Sequence, residues 1–155
     1  MISSTIRFAN IILAALLAGT SFGIWIGFNP LGLSASTYLE QQQNTINSLS
    51  VLMTSLVIIA TVITIISAFV QKNDKRVFIT LLFAAVFFIA CILISAIGNR
   101  PIDNEVMTWT KGTMPKDWTN FRDKWWSLHI MRTIAELIAL ILIAWTNVRS
   151  KAMYR

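Results

Sequence analysis

His129, Arg132 and Glu136 are the residues of this chain best placed to do chemistry. They stand at i, i+3 and i+7 in Trp125–Glu136. At ~100° per residue they share a helix face within roughly 60° of one another. His129 is the only histidine among 155 residues. A neutral imidazole in an apolar, aromatic-lined pocket can accept a proton from a weakly acidic carbon or a phenol. Arg132, one turn further on, can hold an enolate or phenolate oxygen. Glu136 lies four residues beyond Arg132 and is expected to pair with it and keep it oriented. The alternative is a structural Arg132–Glu136 pair, with His129 hydrogen-bonded to a loop carbonyl.

These groups open an apolar run, and that gives them weight. Ionisable residues inside a membrane helix are costly and usually face the bundle interior or a wet cavity. The chain is 55% hydrophobic and only 13% charged, too apolar for an ordinary soluble domain. Three runs carry no charge at all: Phe8–Phe28, Val51–Val70 and Val77–Gly98. Each is long enough to cross ~30 Å of hydrocarbon at 1.5 Å per residue. Trp125–Val148 is a fourth run of similar length. The expected architecture is all-α, a single four-helix transmembrane bundle over residues 1–155. Its helices are expected at about 8–28, 47–70, 77–98 and 125–148, with a structured long loop between the third and fourth. Backbone groups in lipid must be satisfied internally, so no open sheet is expected.

The net charge of +6 does not indicate nucleic acid, because much of it sits at helix ends. Arg7 precedes the first helix, Lys72, Lys75 and Arg76 crowd the second connection, and Arg149, Lys151 and Arg155 follow the last helix. The positive-inside rule places both termini in the cytoplasm of a cell bounded by a plasma or inner membrane. Cys91 lies alone in an apolar run, where packing is its expected role. Gly19, Gly23 and Gly27 recur at four-residue spacing. Small residues so spaced permit close helix approach, inside the bundle or along a homo-oligomer seam. Thr54, Ser55, Thr61 and Thr64 are expected to bond back to their own helix.

Between the first two helices, Ser36 followed by Leu39 and Glu40 resembles a helix start. It predicts a short amphipathic helix, or an extension of helix two beyond the membrane. Glu40, Gln43 and Asn44 share one face of it, either solvated or forming a polar wall. The third connection holds Trp109 and Trp118, and Trp125 and Trp126 follow directly. Tryptophans favour the membrane interface, but Trp109 and Trp118 lie far enough from the apolar runs to form a lid instead. No metal ligand set appears, since there is no second histidine and no cysteine pair. No cofactor is therefore expected, although metal or haem at His129, with Glu40 or Glu105, stays open as a weaker alternative.

Asn99-Arg100-Pro101-Ile102-Asp103-Asn104-Glu105 resembles the Asn-x-Pro-Ile-Asn-Asn-Glu segment of the anthrone oxygenase-like membrane proteins, a family largely catalogued as a domain of unknown function. Arg122, Trp125-Trp126, His129 and Arg132 are similar to its Arg-x-x-Trp-x-x-x-His-x-x-Arg segment. The stretch from Ala18 to Leu33 and the run Gln41-Gln42-Gln43 resemble its first helix and loop. The resemblance implies a four-helix membrane bundle. It also implies oxidation of an anthrone to an anthraquinone with molecular oxygen and no added cofactor. Carried over by position, His129 is the base, with Asn99, Asn104 and Arg132 in polar support. Asp103 departs from the family's usual Asn. Trp109, Trp118, Trp125, Trp126, Glu40 and Gln43 complete the expected binding site for a lipophilic small molecule. The second reading is a non-enzymatic membrane module, either a complex subunit or a lipid binder.

Overall fold

The computed structural model describes residues 2–152, with side chains from 3 to 148. The side chains of Arg149 and Lys151, and Arg155 altogether, lie outside that range. The described residues form helices α1 (Ile2–Gly27), α2 (Ala35–Val70), α3 (Lys75–Ile94), α4 (Arg100–Val106) and α5 (Trp118–Ala152). One π-helical turn, Ser95–Asn99, joins α3 to α4. No strand occurs among these residues. Four helical stretches, with α3 and α4 acting as one, are long and apolar enough to cross a membrane. They form a four-helix bundle. α1 packs on α2 and α5, and α3 packs on the same two helices from the opposite side. The Ile2 end of α1, the Ala152 end of α5 and the 71–74 turn lie at one end, called here the terminal end. The 28–34 and 107–117 connections lie at the other, the distal end.

The helices outrun the apolar segments that announce them. α2 is 36 residues long, ~54 Å at 1.5 Å per residue, so it projects past the hydrocarbon. It is thus an extension of helix two, not a separate short helix. Its N-cap is Ser34, whose Oγ accepts from Thr37 N at 3.3 Å, two residues before the expected Ser36. α5 begins at Trp118, seven residues before the apolar run. Trp118, Phe121 and Trp125 fall on one face there and pack inward, while Asn120, Asp123 and Lys124 stay in solvent. An amphipathic turn of that kind has no uncharged run to reveal it.

The expected break near Gly98 and Pro101 does not occur, so only 107–117 of the third connection is non-helical. Proline inside a helix lacks an N–H and crowds the carbonyl four residues back. The π-turn absorbs that disruption. It widens the helix by one residue just before Pro101, and Arg100 N–H bonds to Ser95 O across it. Gly98 sits in this turn because α5 comes close: a Cβ there would lie 2.7 Å from Leu128 Cδ1.

The core has two parts. An aliphatic cluster around Leu17, Val57, Leu81, Phe88 and Ile143 fills the terminal half. An aromatic cluster around Tyr38, Trp109, Trp125 and Trp126 fills the distal half. Thr61 and Thr64 bond back to Val57 O and Ala60 O. The glycine stripe does not pack inside the bundle. Gly19, Gly23 and Gly27 are exposed, and a Cβ at any of them would meet nothing.

Candidate functional site

A chamber of about 460 Å³ opens where α2, α3, the π-turn, α4 and α5 meet. Its volume falls in the usual range for small-molecule sites. Leu17, Met53, Val57 and Ile92 supply apolar wall. Asn99, Asp103, Asn104, Arg132 and Glu136 supply a polar edge, and Trp125 an aromatic one.

Arg132 is oriented by two neighbours. Its Nη1 donates to Ser95 Oγ at 3.2 Å. Its Nε and Nη2 both lie 3.3 Å from His129 Nδ1. His129 itself is wholly buried. Its ring lies parallel to the Trp125 indole, 5° apart at 5.2 Å between centroids, and stacks at 5.6 Å on Trp126. Its Nε2 is 3.1 Å from Ser21 O on α1. A backbone carbonyl only accepts and a guanidinium only donates. The hydrogen is therefore on Nε2, and the Nδ1 lone pair belongs to Arg132. His129 does not line the chamber. It stands behind Arg132 as its support, bonded to a helix carbonyl, not a loop one.

No ion pair joins Arg132 to Glu136, contrary to the spacing argument. Adjacency at i+4 permits a pair, but the guanidinium is drawn to His129 and Ser95. Glu136 is 2% exposed, and its Oε2 has no hydrogen-bond partner. Asn99 anchors the π-turn by donating Nδ2 to Trp125 O at 3.1 Å, and its Oδ1 is also without a partner. Trp125 Nε1 donates to Asp103 Oδ1 at 2.7 Å. Asp103 thus takes up one indole and faces the chamber. Cys91 is buried, lines the chamber, and donates to Arg132 O at 3.4 Å.

The other expected site residues divide differently. Trp109 is buried, meets Phe121 edge to face at 5.3 Å and bonds to Glu105 Oε1. Trp118 stacks on Tyr38 at 5.2 Å, with the Arg122 guanidinium 5.0 Å from its ring centre. With Trp126 they make a packed roof, not a chamber lining. Gln43 Nε2 donates to the carbonyls of Val106 and Trp109, both at 3.0 Å, and ties the end of α4 to α2. Glu40 pairs with Lys111 at 2.7 Å in solvent, with about two thirds of each side chain exposed. It does not meet His129. Among the described residues no three His, Cys, Asp or Glu side chains converge. A metal at His129 would have to displace a hydrogen bond from either ring nitrogen, so the ring does not fit that role.

Ser95, Asp103 and Cys91 are chamber residues that spacing alone does not select. Ser95 and Cys91 carry no signal in an apolar run. Asp103 had one, its charge beside Asn104 in the resembling segment.

The chain matches the family model described as anthrone oxygenase over residues 43–142, well over half its length. No curated protein and no solved structure matches it.

Proposed function

The chain belongs to the anthrone oxygenase family, and from that premise we propose that it oxidises a lipophilic phenolic aromatic of the anthrone type with molecular oxygen. One observation carries the reading. The chamber, apolar over much of its wall, is lined by both Arg132 and the buried Glu136, whose Oε2 has no hydrogen-bond partner.

The chemistry is a methylene oxidation. An anthrone CH₂ and O₂ become a ketone and water, the carbon giving up four electrons and O₂ taking them. The bound enol or phenol loses a proton to Glu136, and Arg132 holds the oxyanion that forms. One preorganised donor of this kind is worth ~10²–10³ in rate. The electron-rich anion passes one electron to O₂, and the two radicals join as a C–O bond. The peroxide takes the proton back, then loses its remaining carbon hydrogen and its terminal hydroxyl together as one water to leave the ketone. The substrate supplies every electron, so no cofactor enters. The hydrogen bonds support a changed division of labour from that implied by the resemblance. His129 positions Arg132 and does not itself take the proton, because its one lone pair is already used.

In this reading the enzyme sits in a plasma or inner membrane with both termini in the cytoplasm, as Arg7, Lys72, Lys75 and Arg76 at the terminal end suggest. The exposed stripe Gly19, Gly23 and Gly27 is the natural seam for a homo-oligomer.

The test is turnover of 1,8-dihydroxyanthrone by the full chain in lipid nanodiscs under ¹⁸O₂, against protein-free nanodiscs. Rate enhancement with one label in the new ketone, lost in Arg132→Gln, supports the reading. A rate equal to the uncatalysed oxidation overturns it, and binding without turnover would leave a carrier.

A further inference from the structure

We infer that the substrate reaches the chamber sideways, out of the bilayer, through a slot between α2 and α3. It is on this view a flat, uncharged aromatic dissolved among the lipid chains. The inference rests on the chamber being the oxidation site.

The distal end carries an aromatic roof. Tyr38, Trp109, Trp118, Phe121 and Trp126 pack above the chamber without reaching its wall. The Tyr38–Trp118 stack and the two Gln43 bonds hold that roof to α2.

The flank between α2 and α3 is different. Val51 lines the chamber and is 78% exposed; Ile58 lines it and is 48% exposed. A residue that both lines an internal space and faces outward marks where the wall stops. Ser55 on α2 and Ala96 on the π-turn lie on the same rim, also exposed. Their short side chains leave the gap unfilled. These positions fall in helices apolar enough to cross a membrane, so the gap opens on lipid. A charged ligand would meet the cost of crossing hydrocarbon there, whereas a neutral phenol would not. At the distal edge of the slot stand Arg100 and Asn104, both exposed and both lining the chamber. They offer donors to a phenolic oxygen at headgroup depth.

A route predicts rates, not affinities. Blocking a passage slows arrival and departure alike and leaves the dissociation constant unchanged. The experiment is stopped-flow quenching of tryptophan fluorescence by 1,8-dihydroxyanthrone, without oxygen, on the full chain in nanodiscs. Ser55→Phe and Ala96→Phe fill the slot from opposite sides at positions with room for a ring. Each is expected to cut both association and dissociation rates at least tenfold at constant Kd, while Trp109→Ala in the roof speeds neither. Unchanged rates in both filled variants overturn the route and leave the slot to a lipid chain. A weaker Kd with unchanged association also overturns it, making the slot part of the binding site. No quenching in the unaltered protein sinks the chamber reading itself.

Discussion

Arg132 Nε and Nη2 converge on His129 Nδ1 at 3.3 Å each. The single histidine is thereby an acceptor for a guanidinium, and the guanidinium is the group that reaches the chamber. A positioning role and a catalytic one differ in how losses combine. Arg132→Gln is expected to lower turnover ~10²–10³-fold. His129→Phe keeps a ring between the two indoles but removes the acceptor, and should also lower turnover. The double variant should be no slower than Arg132→Gln alone. Losses that multiply would mean His129 acts on the substrate independently.

Glu136 makes stability and activity move in opposite directions. Burying a carboxylate with one oxygen unbonded is costly, and Glu136→Gln removes the charge at nearly constant shape. Its melting temperature should stay level or rise. Turnover should drop ~10²–10⁴-fold, the range for a lost general base. Thermal unfolding and initial rates on the same preparation test this, and retained turnover would exclude Glu136 as the proton acceptor.

Asp103 holds Trp125 through one oxygen, and an amide oxygen would serve as well. Asp103→Asn should change unfolding free energy by less than ~1 kcal/mol. Asp103→Leu leaves the buried indole N–H unpaired and should cost ~1–3 kcal/mol. Equal effects from the two would show that the charge, not the hydrogen bond, matters.

A side chain at Gly98 would press on Leu128, whose Cδ1 would lie 2.7 Å from its Cβ. Gly98→Val should destabilise the bundle by ~1–3 kcal/mol, measured as a lower melting temperature, and Leu128→Ala should restore part of it. By contrast Gly23, with nothing facing it, should accept Ala with no loss of melting temperature. A loss there would reveal a close neighbour, in practice a second copy.

Much of this architecture was legible because a membrane segment must be long and uncharged, and three runs here are. The shared face of His129, Arg132 and Glu136 followed from helical period alone. Their partners did not. Ser21 donates no chemical signal, yet its carbonyl, 108 residues away, engages His129 Nε2. The partners of Arg132 differ from those its spacing predicts for a related reason. Spacing along one helix offers it Glu136, while Ser95 arrives from another helix. The amphipathic starts of α2 and α5 lack an apolar run, so their true lengths were hidden. The roof tryptophans looked like site residues by composition, and only packing shows them turned into each other.

The π-turn at Ser95–Asn99 holds one residue more than an α-helix would over the same rise. Removing one residue from the turn would close it to an α-helix with the faces on either side still in register, so Asp103 and Asn104 would keep their direction. The cost would fall on Pro101, whose ring would then crowd the carbonyl four residues back in a regular helix. The extra residue is thus what lets a proline stand in mid-span while the helix beyond it continues straight toward the chamber.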